Sequence, residues 1–135
     1  MPLPLNLDEL NDNPLYRAIG IRITSVDDGR VCAQLQPEPA MCWPDEGQPH
    51  GGVLFTLLDT TMATVVMTGG YEQASCSTIS MDVQYLAPAV GTNFACEAAM
   101  ERRGGRVCFV RGTISNHSGE AVALGQGSYR IFMPH

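Results

Sequence analysis

Apolar positions along the chain change period several times. From Leu5 to Ile19 they fall at Leu7, Leu10, Leu15 and Ile19, with Asp8, Glu9 and Asp12 early in the run. That spacing predicts a short N-terminal helix or turn broken at Asn13-Pro14, so residues 1–13 form an extension or short helix ahead of the main body. In GIRITSVDDGRVCAQLQP the pattern alternates instead: Ile21, Ile23 and Val26 precede Asp27-Asp28-Gly29, and Val31, Ala33 and Leu35 follow it. Alternation on both sides of an Asp-Gly turn predicts a β-hairpin. Residues 37–50, PEPAMCWPDEGQPH, hold four prolines and a glycine, and predict an irregular connection anchored to apolar surface by Trp43.

The run GQPHGGVLFTLLDTTMATVVMTGG, Gly47 to Gly70, is of another kind. After Gly52 it has neither proline nor glycine until the stop TGG at 68–70. It predicts a helix from residue 51 to about 68, roughly four to five turns long and apolar nearly all round. Such a helix belongs in a core, and it is too short and too polar to span a bilayer. Four extended stretches follow, STISMDVQYLAPAV, TNFACEAAMERRGG, RVCFVRGTISNHSG and EAVALGQGSYRIFM, separated by Pro-Ala-Val-Gly, Arg-Gly-Gly and Asn-His-Ser-Gly turns. They predict an antiparallel meander. The fold class is therefore α+β: a sheet of about six strands curved around one long buried helix.

The 135 residues fit a single domain, and 44% hydrophobic against 16% charged residues is a globular balance. A net charge of −6 argues against nucleic acid or an anionic membrane as partner. Five cysteines without a Cys-x-x-Cys or a histidine at metal spacing predict neither disulfides nor a metal site, and suit a reducing cytoplasm. The N-terminal MPLPLNLDEL lacks the features of a secretory signal.

Chemistry concentrates at the start and middle of the helical run. His50-Gly51-Gly52 puts two glycines where first-turn N–H groups hold an anion or a polarised carbonyl oxygen; close helix–sheet packing explains them equally well. Asp59 leaves the helix beside Phe55, Thr56, Met62 and Ala63, where a charge is costly without a partner, and reads as a base or nucleophile; an Arg or backbone donor satisfying it is the bland alternative. Asp59 lies eight residues after Gly51, about 12 Å along a helix, too far for both to act on one carbonyl from the same chain. Two helices antiparallel across a two-fold axis would bring the glycine end of one to the aspartate of the other.

Three stretches, HGGVLFTLLDTTM at 50–62, STISMDVQYLAPA at 77–89 and the closing GSYRIF, resemble the hot-dog-fold acyl-CoA thioesterases, above all the phenylacetate-pathway and 4-hydroxybenzoyl-CoA type. The resemblance spans residues 14 to 132. It implies a single hot-dog domain over 1–135, a homodimer with a continuous sheet, often a dimer of dimers, and hydrolysis of an aryl or short- to medium-chain acyl-CoA at a site shared between subunits. Gly51 resembles the backbone oxyanion donor with His50 beside it, Asp59 the carboxylate that activates water or attacks the thioester, and Ser80 a polar residue that positions the water. No cofactor is implied, since coenzyme A is part of the substrate. Where many relatives carry Asn or Gln six residues before the histidine, this chain has Pro44; Gln48 or Asp45 in the same loop would have to substitute.

Arg102, Arg103 and Arg106 surround one turn and suit the phosphates of coenzyme A, although charged hairpin tips are ordinary. Gly52, Gln48 and Met62 complete the expected substrate contacts, with Met67 and Met81 as core or pocket lining. His117 and His135 read as solvent-facing, and Cys76 as a packed thiol. The alternative function is a non-catalytic acyl-CoA-binding or regulatory module; hydratase chemistry is weaker, because no Asp and His stand at a spacing suited to an enoyl chain.

Overall fold

The computed structural model describes residues 5–69 and 74–133; Met1 to Pro4, Gly70 of the expected helix stop and His135 lie outside them. The order is α1 (Leu7–Asn11), α2 (Pro14–Ile19), β1 (Ile21–Asp27), β2 (Arg30–Leu35), α3 (Gly51–Met67), β3 (Ser75–Tyr85), β4 (Phe94–Arg103), β5 (Val107–Asn116) and β6 (Ala121–Phe132), with one 3-10 turn at Pro39–Met41. The N-terminal segment is two helices, split where expected. Asn6 and Asn13 cap them by accepting from N–H groups of the first turns, and Pro14 opens the second. Gly20 ends α2 at φ 103°, and a Cβ there would overlap the Gln36 carbonyl, so the turn from α2 into β1 requires glycine.

All six strands form one antiparallel sheet in the order β1-β2-β4-β5-β6-β3. The expected hairpin is β1–β2, but the four-strand meander holds only for β4-β5-β6. β3 pairs with β6 at the sheet edge instead of with β4. The link from β3 to β4 covers residues 86–93. Extended, it reaches about 26 Å, ample for the roughly 14 Å that three strand spacings require.

α3 lies against the concave face. Leu54, Leu57, Leu58, Met62, Val65 and Val66 are buried there with Phe94, Val110, Ile114 and Tyr129. Met62 was expected to line the substrate pocket; it is instead fully buried, seated with Leu58 on the side-chain-free backbone of Gly112, Gly125 and Gly127. Such burial is worth about 1.5–3 kcal/mol per side chain. The helix is not covered all round, however. Phe55, Asp59, Ala63 and Met67, spaced four apart on one stripe, remain partly or fully open, because a single sheet wraps only one side of a cylinder.

The two sheet edges differ. Along β1, the Asn11 side chain donates to the Ile23 carbonyl (2.9 Å) and accepts from the Ile23 N–H (2.8 Å), occupying that edge with α1 packed beside it. The outer edge of β3 has no backbone partner among the described residues. No helix among the described residues is long and apolar enough to cross a membrane, and no cluster of three or more metal-binding side chains occurs among them.

Candidate functional site

His50 caps α3. Its Nδ1 accepts from the Gly52 N–H at 2.8 Å, which places the ring proton on Nε2, and its carbonyl accepts from the Val53 N–H at 2.8 Å. The Gly51 N–H is then the first-turn amide without a partner among the described residues. Gly52, expected to contact substrate, lines the hollow at the helix start; its N–H is held by His50, and a Cβ there would stand 3.0 Å from His50 Nδ1. The Gly52 position serves the cap. Tyr85 Oη donates to the Gly51 carbonyl at 2.9 Å, tying the start of α3 to β3.

Beside this amide opens a hollow of about 480 Å³, walled by Ile19, Met41, Trp43, Pro44, Val53 and Thr56. Trp43 holds its loop against apolar surface as expected, beside Ile19 and Val53. It is half exposed, with its ring 5.1 Å from that of His50, because the connection it belongs to folds over the helix start rather than into the core. Gln48 contributes no wall; its backbone carbonyl accepts from the Trp43 N–H at 2.8 Å and closes the loop.

Asp59 faces a second hollow of about 420 Å³, bounded by Leu10, Tyr16, Ala63, Met67, Cys76 and Thr78. Among the described residues, neither an arginine nor a backbone amide satisfies it. Thr78 Oγ1 donates to Oδ1 at 2.7 Å, and Tyr129 Oη donates to the same oxygen at 2.8 Å. Tyr129 is fully buried, and burial first, then the Asp59 charge, push its phenol well above the usual tyrosine range, so it stays a donor. Cys76 Sγ lies 3.8 Å from the Ala63 carbonyl; burial and then Asp59 raise its thiol, the opposite of what a thiolate nucleophile needs. The hollow at the start of α3, reached by His50 and Gly52 on either side of Gly51, and the hollow that Asp59 faces are thus separate in one chain.

Two expected residues stand elsewhere. Ser80 pairs with Ser128 on the outer face of the sheet, and with Asp82, Glu101 and Gln126 it lines a different depression, away from Asp59. The cause is a bulge between Thr78 and Ser80, which reverses the alternation and leaves Thr78 as the inward hydroxyl. A second bulge, between Met100 and Arg102, turns Arg103 inward, where its guanidinium donates to the Val66 carbonyl at 3.1 Å. Arg103 is thereby committed to the C-terminal end of α3, while Arg102 and Arg106 remain exposed. His117 is exposed in its turn. Thr78, Tyr85 and Tyr129 had no assigned role from sequence, since only the register of β3 against β6 and α3 brings them to the site.

The sequence pattern that defines the thioesterase superfamily matches residues 47–123, which contain the α3 residues of both hollows. Over 133 residues the chain is 29% identical to a candidate esterase of Halobacterium salinarum, covering 91% of this chain and 87% of that protein. Among solved structures, a thioesterase family protein of Silicibacter pomeroyi superposes with a TM-score of 0.86 at 25% identity, over 94% of this chain and 95% of its own. A candidate thioesterase of Ralstonia eutropha, described as related to phenylacetic acid degradation, superposes with a TM-score of 0.80 at 30% identity, over 90% and 96%.

Proposed function

Because the chain belongs to the thioesterase superfamily, with its hot-dog fold, and is a thioester hydrolase on that ground, we propose that it cleaves acyl-CoA thioesters at a site completed by two subunits. The separation of Gly51 and Asp59 carries this reading. One amide is free to hold an oxyanion, one carboxylate is free to attack or to take a proton, and about 12 Å of helix lies between them. Two antiparallel copies of α3, crossing at Phe55 so that residues 51–59 of one face residues 59–51 of the other, would bring each Gly51 to Asp59 of the partner subunit. The unpaired outer edge of β3 supports the same assembly, since a free edge pairs readily with a second copy and the β1 edge is occupied.

In that site the Gly51 N–H holds the thioester carbonyl oxygen. The carboxylate either adds to the carbonyl carbon or removes a proton from a water that does so. Collapse of the tetrahedral intermediate breaks the C–S bond, and the coenzyme A thiolate leaves and is protonated. Where water was the nucleophile the carboxylic acid is released directly, and where Asp59 added, the one water consumed then cleaves the acyl–aspartyl anhydride. The hollow beside Gly51, with Trp43, Met41 and Val53 in its wall, suits an aryl or short apolar acyl group, in keeping with the phenylacetic acid connection of the Ralstonia eutropha protein. Arg102 and Arg106, without Arg103, are the cations for the coenzyme phosphates. The five unpaired cysteines fit a cytoplasmic setting.

The test is thiol release from a panel of aryl-, short- and medium-chain acyl-CoAs by wild type and Asp59→Asn, with calorimetric binding of the same esters. We expect turnover that falls at least 100-fold in Asp59→Asn while binding persists. Pro44 in the wall of the Gly51 hollow favours a second reading, a non-catalytic acyl-CoA-binding module. Binding without turnover of any ester by wild type would select it.

A further inference from the structure

We propose that Tyr129 and Thr78 are positioning residues which lock Asp59 through Oδ1 and leave Oδ2 as the oxygen that acts on the substrate. The inference rests on the thioesterase reading for its catalytic meaning, but its geometry stands apart from it. Both hydroxyls donate to a single oxygen, at 2.7 and 2.8 Å. Oδ2 has no partner among the described residues, and it is not sealed from solvent, since the only buried side-chain polar atom without a partner among them is Arg103 Nη2. The carboxylate is therefore asymmetric: one oxygen is fixed by two donors and one is presented to the hollow.

The two donors come from different places, and each is held. Tyr129 on β6 lies under the helix with its ring edge against Gly127, where a Cβ would stand 3.0 Å from Cε2, and with its hydroxyl 3.9 Å from Met81 Sδ. Its long side chain cannot swing away without opening the core. Thr78 sits opposite it in the β3–β6 register, on the inward side of the bulge that turns Ser80 out. The pair fixes the plane of the Asp59 carboxylate, which is otherwise a broad, soft torsion. Because the phenol is kept protonated by burial, it always donates and never competes as a base. A nucleophile or base held in one orientation gains in rate without gaining in substrate affinity.

The experiment compares Tyr129→Phe, Thr78→Val and Thr78→Ser with wild type on the best ester of the panel. Each of the first two removes a hydroxyl and keeps the shape; Thr78→Ser keeps the hydroxyl. We expect kcat to fall about 10- to 100-fold in Tyr129→Phe and Thr78→Val, with KM within about twofold, and Thr78→Ser to recover most of the loss. Unchanged kcat in both deletion variants, or a rise in KM alone, overturns the inference while leaving the thioesterase reading intact. A wild type that hydrolyses nothing sinks that reading instead. In every case, infrared difference spectra of wild type minus Asp59→Asn report the splitting of the carboxylate stretches. A splitting that shifts when either hydroxyl is removed supports the asymmetric carboxylate, and one that ignores both removals refutes it.

Discussion

Gly112 on β5 stands directly opposite Gly125 on β6, and the Leu58 side chain rests on both. A Cβ at Gly112 would lie 3.0 Å from Leu58 Cδ2 and 3.3 Å from Met62 Sδ; one at Gly125 would lie 3.2 Å from Leu58 Cδ1. The close seat of α3 depends on this flat patch. Gly112→Ala and Gly125→Ala should each destabilise the protein by about 1–3 kcal/mol, measured by urea unfolding at fixed protein concentration. Since both push on one leucine, the double variant should cost less than the sum. A double variant as stable as wild type would show that α3 has room to lift.

Arg103 separates a structural arginine from surface ones. It reaches the Val66 carbonyl at the C-terminal end of α3, where a cation meets the negative end of the helix dipole. Arg103→Met should lower stability by about 1–2 kcal/mol. Arg102→Ala should leave stability within about 0.5 kcal/mol, as surface changes do, and raise KM for acyl-CoA if it meets phosphate. The comparison is a thermal melt beside a KM determination. Equal melting temperatures for the two variants would remove the structural role of Arg103.

What the sequence made legible follows from period, and what it hid follows from register. The α3 run has punctuation at both ends, Gly51 with His50 before it and Thr68-Gly69 after it, so its limits and its place in the core could be read directly. The β1–β2 hairpin was equally plain, because Asp28-Gly29 sits between two alternating runs. Alternation fails silently at a bulge, however. The irregularities at Thr78/Ser80 and Met100/Arg102 each reverse the alternation for the residues beyond them. Ser80 therefore turned out and Thr78 in, and Arg103 turned in while Arg102 stayed out. Tyr129 reaches Asp59 from 70 residues away, a pairing fixed by β3 lying at the β6 edge, which no local pattern encodes. That edge placement also defeated the simple meander.

Alkaline stability should report the buried Cys96 thiol. Burial pushes Cys96 from 9.0 to about 12, against a smaller opposing hydrogen bond from Thr61. The folded value lies above the unfolded one, so the protonated thiol favours the native state: its contribution is complete below about pH 9 and is lost as pH rises towards 12. Over that window the unfolded chain has released a proton that the native chain retains, and stability should fall by about 1.4 kcal/mol per pH unit from this group. Urea midpoints between pH 8 and 11 should decline less steeply in Cys96→Ala than in wild type. Tyr129, also raised, adds its share only above about pH 10. Parallel declines in wild type and Cys96→Ala would mean that the thiol ionises without regard to folding.

The oxyanion role of Gly51 can be tested by deleting a single hydrogen-bond donor. Gly51 is the first residue of α3, and its N–H bonds to nothing among the described residues. Proline is well tolerated at a first helical position, where that N–H is unpaired in any case. His50, just before it, has φ −57° and ψ 143°, the extended conformation that a residue preceding proline favours. Gly51→Pro therefore subtracts the N–H with little else. Its melting temperature should stay within a few degrees of wild type, while kcat should fall about 100- to 1,000-fold, the usual consequence of losing one oxyanion donor. Gly51→Ala keeps the N–H and adds a methyl 3.5 Å from the Tyr85 ring, an ordinary contact, so it reports the steric share of any loss. A larger fall in Gly51→Pro than in Gly51→Ala assigns the difference to the hydrogen bond. Hydrolysis by Gly51→Pro at the wild-type rate would move the oxyanion site away from the start of this helix, and with it the reason for placing Asp59 of the partner subunit there.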